Sequence, residues 1–380
     1  MPPIPRSTLI VALSLLVLLL FPLSSLRAQG VYPGSGSAYV TDDRTRSDSI
    51  TIKMTGVALP KEGTSYEGWL VSDDEKVKTS LKIIQVGSDG VVNHRFTSPR
   101  GENLIHLYDK VLITIEPVPD PDPAPSELVA FKGQIPGGAM THIRHLLTNW
   151  PAGSSRGILT NLKLQLETAL AKANLARDST SIAELRKYLE QAVNVIEGQG
   201  GANYGDLDGN GTIENPGDGV GVLNHAADRK HAGFASAAAP EDETIFLHAR
   251  HVEDSGNNAE QWAISARDKA LVAIKQSDVN NAKLLALGTV QNLTASLNGL
   301  DANGNGTIEP ILGEGGAKTA YEHAQLMATY SLVGVPITLP KTGGFAPTPI
   351  MGALAGVLGL GLVLAGSLLL RRQVKAQRAN

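Results

Sequence analysis

Two short stretches of this chain carry the oxygen-rich side chains that bind hard cations. The first begins at Asp206, and the second begins 95 residues later at Asp301. Both have oxygen-bearing side chains at positions 1, 3 and 5, a glycine at 6, a threonine at 7 and a glutamate at 9. The glycine allows a sharp turn, and the threonine can offer its backbone carbonyl to a cation. The candidate ligands are Asp206, Asp208, Asn210, Thr212 and Glu214 in the first copy and Asp301, Asn303, Asn305, Thr307 and Glu309 in the second.

Both stretches resemble the first nine residues of an EF-hand calcium loop. The resemblance implies Ca²⁺ as the cofactor, held by six to eight oxygen ligands. A bidentate acid belongs at the twelfth position of such a loop, where this chain has Gly217 and Leu312. Asp218 and Glu314 follow one and two residues later, and we expect them to complete the sites if each loop is slightly longer. Metal-free turns are the alternative, because Asn-Gly and Asp-Gly pairs are common in turns.

Histidines offer a second kind of metal chemistry. Each half of the helical region opens with two histidines three residues apart, on one face of a helix, and a further histidine follows each loop. Three imidazoles per half could hold a transition metal or a haem iron. The candidates are His142, His145 and His225 in the first half and His248, His251 and His323 in the second. The simpler interpretation, which the sequence favours, is that these histidines pack and hydrogen-bond at a helix start.

Composition narrows the possible functions. The 380 residues, 42% of them hydrophobic, are enough for two or three domains with buried cores. Cysteine is absent, which excludes disulfides, a thiol nucleophile and cysteine-ligated metals. The net charge of −4 disfavours a nucleic-acid partner. No Glu-x-x-His or His-Glu-x-x-His motif accompanies the histidines, so we expect no catalytic residue and no enzyme.

Residues 49–136 consist of short β-type runs separated by turn signals, which predicts an antiparallel β-sandwich. Leu59-Pro60, the run from Tyr66 to Val71, the run from Ile113 to Pro117 and Gly133-Gln134-Ile135 follow one another in an order that resembles the C-terminal, extracytoplasmic domain of anti-sigma-K-type factors. That resemblance implies the sandwich fold. Because a signal peptide directly precedes this region, we expect no sigma-binding segment and carry over the fold alone.

From residue 137 to residue 333, helical periodicity replaces the strand pattern. The region divides into a first repeat at 137–235 and a second at 236–333. In each repeat we expect a leading helix, two longer helices, the calcium-type loop and a closing helix. The predicted fold class is therefore multidomain α+β: an antiparallel β-sandwich, then a duplicated four-helix unit with calcium-type loops, then one C-terminal transmembrane helix.

The two ends of the chain predict export and attachment. Residues 1–28 resemble a secretory signal peptide, with an uncleaved anchor as the alternative, and we expect residues 29–48 to form a flexible lead-in. Residues 349–370 are apolar enough for a transmembrane helix, which would bring the membrane in as a partner, and residues 371–380 form a basic cytoplasmic tail.

A short motif lies in the linker at residues 334–348. It reads Leu339-Pro340-Lys341-Thr342-Gly343 and resembles the LPxTG cell-wall sorting signal of Gram-positive-type bacteria. The resemblance implies that a sortase cleaves between Thr342 and Gly343 and joins Thr342 to peptidoglycan. The sorting residues are Leu339, Pro340, Thr342 and Gly343. A plain single-span anchor with a chance pentapeptide is the alternative, and both interpretations place the folded region outside the cell.

Together these features predict an exported surface protein, anchored to the wall or membrane, with a calcium-stabilised helical module. We expect a structural or adhesion role with an unknown extracellular protein or glycan as partner. Two alternatives stay open: an envelope-stress sensor related to anti-sigma factors, and a histidine-based metal or haem binder.

Overall fold

An eight-stranded antiparallel sheet organises the chain in the computed structural model, which describes residues 30–337. The spatial order is β4-β3-β6-β7-β8-β1-β2-β5. The edge strands β4 and β5 meet, because His94 in β5 has its Nε2 2.8 Å from the Leu81 carbonyl oxygen in β4, so the sheet nearly closes on itself. The strands are β1 (Ser35–Thr41), β2 (Ser49–Thr55), β3 (Thr64–Val71), β4 (Lys78–Ile84), β5 (Val92–Thr97), β6 (Lys110–Pro117), β7 (Val129–Gln134) and β8 (Tyr330–Gly334).

The predicted independent β-sandwich over residues 49–136 is wrong. Strand β8 comes from the far end of the helical region and lies between β7 and β1, where Leu332 pairs with Gly36 and Val333 pairs with Lys132. Without β8, the facing edges of β1 and β7 would leave their backbone groups unpaired. Residues 30–336 therefore form one unit rather than a sandwich followed by separate helical domains. Residues 29–48, expected to be a flexible lead-in, contain β1, which pairs with β2 on one side and β8 on the other.

The helices divide into two sets. The first set comprises α2 (Gly137–Leu147), α3 (Ile158–Asp178), α4 (Ile182–Glu197), α5 (Val222–Ala227), a 3₁₀ turn (Asp228–Lys230) and α6 (His231–Ala238). The second set comprises α7 (Glu243–Ile274), α8 (Val279–Asn298) and α9 (Ala317–Leu326), while the short α1 (Leu104–Leu107) lies among the strands. The regular four-helix repeat is thus also wrong: the closing helix of the first half is broken in two, and the leading helix of the second half is fused to the next one.

Sheet and helices share one hydrophobic core. In strand β2, the apolar residues Ile50, Ile52 and Met54 alternate with the polar residues Thr51 and Lys53, and the three apolar side chains are buried in this core. The same cluster of buried side chains includes Phe131 from β7 and Met140 from α2. Because strands and helices share this buried cluster, the helices between β7 and β8 are packed directly against the sheet.

Within residues 30–337, no helix is both long and apolar enough to cross a membrane. The predicted signal peptide, transmembrane helix and basic tail, and the sorting residues 339–343, lie outside the described residues.

Candidate metal centres

The structure brings together the three histidines predicted in the second half. His248 and His251 lie near the start of α7, and His323 lies on α9. The Nδ1 atom of His323 is 2.8 Å from Nδ1 of His248 and 3.2 Å from Nδ1 of His251. We call this cluster site 2. Its ligands come from α7 and α9, and the second calcium-type loop lies between these two helices in the sequence.

The first half forms the same arrangement with a different third histidine. His142 and His145 lie on α2, and their partner is His231, the first residue of α6. The Nδ1 atom of His231 is 3.0 Å from Nδ1 of His142 and 3.2 Å from Nδ1 of His145. We call this cluster site 1. In both sites, one ligand atom from each of the three histidines lies within 4.8 Å of the other two.

His225, the third ligand expected for the first half, lies elsewhere. Its side chain is buried, with Nε2 2.7 Å from Oδ2 of Asp218. The other oxygen of Asp218 accepts hydrogen bonds from the backbone N–H groups of Val220 and Gly221, so this pair holds the chain at the start of α5. Two histidines follow the first loop, and the sequence does not show which of them packs against α2, so His231 was missed. The available signal was that His231 also follows the loop.

In each site, the two short Nδ1–Nδ1 contacts, 3.0 and 3.2 Å in site 1 and 2.8 and 3.2 Å in site 2, are close to the spacing of two ligands on one ion. Two nitrogens bound tetrahedrally to zinc at about 2.0–2.1 Å lie roughly 3.3 Å apart. Hydrogen bonding satisfies these contacts less well, because each Nδ1 carries either one proton or one lone pair. Nδ1 of His231 therefore cannot bond to both neighbouring histidines at once, and the same holds for His323. A single cation would use all three lone pairs.

Burial keeps these imidazoles in the neutral form that binds metal. It lowers the pKa of His142 and His248 below the ordinary value, and it lowers the pKa of His145 and His251 in the same way. Burial and the neighbouring histidines together lower the pKa of His231 and His323 to about 4. The ligands therefore need little or no deprotonation at neutral pH.

One ligand helix of each site, α2 in site 1 and α9 in site 2, is tied to a loop of the sheet. On α2, Arg144 lies between the two site 1 histidines in sequence and makes a bidentate ion pair with Asp73, at 2.6 and 2.8 Å. On α9, Tyr321 and Gln325 flank His323 and both donate hydrogen bonds to Oδ1 of Asp42. Such outer contacts orient metal ligands before an ion arrives.

Two aromatic rings, those of Trp150 and Phe234, pack against the histidines of site 1. The ring centroid of Trp150 lies 4.8 Å from that of His145 and 4.5 Å from that of His231. Phe234 lies 5.4 Å from the rings of both His142 and His231. Trp150 is held in place because its Nε1–H donates to Oδ2 of Asp228 at 3.1 Å.

Two carboxylates, those of Asp206 and of the buried Glu190, hold the backbone of the first calcium-type loop. Asp206 accepts backbone hydrogen bonds from Gly209, Asn210 and Gly211 at 2.8, 3.1 and 2.9 Å, and Gly211, at position 6, has φ +86°. Glu190 on α4 is fully buried and accepts hydrogen bonds from the backbone N–H groups of residues 207, 208 and 214. Sequence spacing did not reveal Glu190, because it belongs to the helix before the loop. Its carboxylate groups with those of Asp208 and Glu214 within 4.8 Å.

In the second loop, Asp301 holds the turn as Asp206 does in the first, but Glu314 takes part in place of a buried glutamate from the preceding helix. Asp301 accepts hydrogen bonds from the backbone N–H groups of residues 304, 305 and 306. Glu309 accepts hydrogen bonds from the side-chain amides of Asn303 and Asn305. Glu314 reaches its loop and accepts from the backbone N–H of Glu309 at 3.1 Å, whereas Asp218 turns away to His225. The backbone N–H groups of Thr212 and Thr307 each donate to Oδ1 of the asparagine two residues earlier, at 2.8 Å in both loops.

No protein-family model, curated protein or solved structure matches this chain. The resemblances to EF-hand loops, to the anti-sigma-K-type domain and to the LPxTG signal therefore stay predictions from the residues that carry them.

Proposed function

We propose that this protein binds transition metals and holds one ion at site 1 and one at site 2. The observation that carries the proposal is the meeting of three Nδ1 atoms in each half, with contacts of 3.0 and 3.2 Å in site 1 and 2.8 and 3.2 Å in site 2. This was the alternative that the sequence favoured less. The convergence of matching clusters in both halves supports it.

The donor set limits the metal class. Imidazole nitrogen suits zinc, copper, iron and nickel, whereas calcium and magnesium prefer oxygen. Three protein ligands leave a coordination position for water or another small ligand. Histidine ligands also tolerate oxidising surroundings in which thiolates would form disulfides, which suits a cysteine-free protein outside the cell.

Equilibrium binding to the full-length chain tests the proposal. We expect two zinc ions per chain at pH 7, one in His231→Ala, one in His323→Ala and none tightly bound in the double variant. His106→Ala is a matched control, since His106 lies on α1 outside both clusters, and it should keep two ions. Unchanged stoichiometry in both single variants would contradict the proposal.

We further propose, from the sequence motif alone, that the protein is exported and joined to peptidoglycan through Thr342. Mass spectrometry of the mature surface form should then find a chain that ends at Thr342 and carries wall material. Thr342→Ala should abolish that linkage, because the transpeptidase needs this residue to form its acyl intermediate. Intact peptides running from Lys341 into Phe345 in most molecules would contradict wall attachment. The structural or adhesion role, and a protein or glycan partner for it, stay predictions.

A further inference from the structure

A cavity of about 370 Å³ lies between three loops, and none of the six clustered histidines lines it. The loops are residues 42–48 between β1 and β2, residues 98–103 between β5 and α1, and residues 148–157 between α2 and α3. This volume falls within the range of small-molecule sites, near its lower end. The described residues that line the cavity include no acid, and the polar ones among them include Thr45, Arg46, Asn103, His106, Ser154 and Ser155.

Hydrogen bonds join the walls of this cavity to one another. The hydroxyl of Thr45 donates to the carbonyl oxygen of Gly101 at 2.9 Å, which ties the first loop to the second. Nδ1 of His106 on α1 lies 3.4 Å from Oγ1 of Thr148 in the third loop. Because the walls are already connected, little ordering of the chain remains when a ligand enters, and that lowers the cost of binding.

The nitrogen groups that remain for a ligand are hydrogen-bond donors. Arg46 is exposed and makes no ion pair within residues 30–337, so its guanidinium is available to a ligand. The side-chain oxygen of Asn103 accepts the backbone N–H of His106 at 3.0 Å, which leaves its NH₂ group as the free end of the amide. A guanidinium and an amide NH₂ both require acceptor atoms on the ligand.

The acidic residues of the first two loops are held by other partners. Asp42 accepts hydrogen bonds from side chains of α9, and Asp43 lies 3.4 Å from an arginine of β5. Asp48 accepts three backbone hydrogen bonds within its own loop, and Glu102 lies 3.7 Å from the arginine two residues before it. The positive charge of Arg46 is therefore left without a carboxylate from these loops, which favours an anion in the cavity.

We propose that this cavity binds a sugar-sized molecule that carries a phosphate or carboxylate group on a hydroxylated body. The planar guanidinium of Arg46 offers two parallel N–H groups, which match the oxygens of either anionic group. The Asn103 amide and the Ser155 hydroxyl suit the hydroxyl groups of the ligand. This binding site goes beyond the proposed metal-binding function and does not depend on it.

Calorimetric titration of the full-length, metal-free chain tests the proposal, because metal removal prevents an anion from binding through an ion at either histidine site. The probes are glucose 6-phosphate, glucuronate and uncharged glucose. We expect one molecule of either anion per chain, bound at least about tenfold more tightly than glucose, and Arg46→Gln should remove that advantage. Arg44→Gln is the matched control, since Arg44 is exposed in the same loop but does not line the cavity.

A second variant separates the cavity from its charge. Ser155 is exposed at the cavity wall, so Ser155→Trp should fill the space and abolish binding of both anions without changing the net charge. Urea denaturation should show unchanged stability in Arg46→Gln. Binding of one anion alone would support the site and identify its anionic group. Binding that survives Ser155→Trp, equal losses in Arg44→Gln and Arg46→Gln, or no preference for the anions over glucose would overturn the proposal.

Discussion

Zinc should stabilise the folded chain by about 4 kcal/mol at each site when free zinc is about a thousand times the dissociation constant of that site. The reason is that each site draws its ligands from two helices, so the complete ligand set exists only in the folded state. Urea denaturation with and without zinc measures the shift in the free energy of unfolding. The chain with both His231→Ala and His323→Ala should show none of it.

The pH dependence of that stabilisation has a defined sign. Burial and the neighbouring histidines hold the pKa of His231 and His323 at about 4 in the folded protein, against an ordinary value of 6.5. The unfolded chain therefore binds more protons between these two values, and the metal-free protein loses stability as the pH falls through that window. Protons compete with zinc for these nitrogens in the folded protein only as the pH falls through about 4, so zinc should stay bound across most of that window and be released below it. Zinc stabilisation that persists well below pH 4 would contradict the histidine ligands.

Calcium should add about 2.7 kcal/mol at each of the two loops when present at about 100 times its dissociation constant. The carboxylates of Asp208 and Glu214 in the first loop and of Glu190 on α4 lie close together, and Lys187, 3.2 Å from Oε1 of Glu214, offsets part of their charge. A bound cation would remove the repulsion that is left. Thermal unfolding with calcium and with a chelator measures the effect. The double histidine variant is the right background, because chelators of calcium also remove zinc.

The choice of loop substitution matters for that experiment. Asp206 and Asp301 each hold three backbone N–H groups, so alanine would damage the turn whether or not an ion binds. Asparagine keeps one acceptor oxygen and removes the charge, so Asp206→Asn and Asp301→Asn should each remove about half of the calcium effect. A melting temperature that calcium and chelator leave unchanged would make both loops ordinary turns.

Local patterns in the sequence predicted the elements better than their assembly. Alternation identified strands such as β2, and helical spacing placed His248 and His251 on one face of α7. The insertion of β8 was not predictable, because a five-residue strand carries no local mark of which strands it will pair with. Assigning strands only to residues 49–136 therefore led to a separate sandwich that does not exist.

For the candidate sites, too, the sequence predicted what lies within one helix and missed what depends on packing between helices. Two ligands of each histidine site follow from spacing within one helix, whereas the third depends on how a second helix packs against the first. His323 was found because a single histidine follows the second loop, whereas two follow the first, and the sequence does not show that His231 rather than His225 packs against α2. Glu190 and Trp150 were missed because their roles depend only on contacts made in the folded chain.

Anomalous diffraction from crystals grown with zinc tests the central claim most directly. Data collected on both sides of the zinc absorption edge would locate each ion independently of the protein phases. We expect one peak in each half, at about 2.0–2.1 Å from nitrogens of three histidines. The ligands should be His142, His145 and His231 in one half and His248, His251 and His323 in the other. Full zinc occupancy elsewhere, with neither histidine cluster holding an ion, would contradict the account.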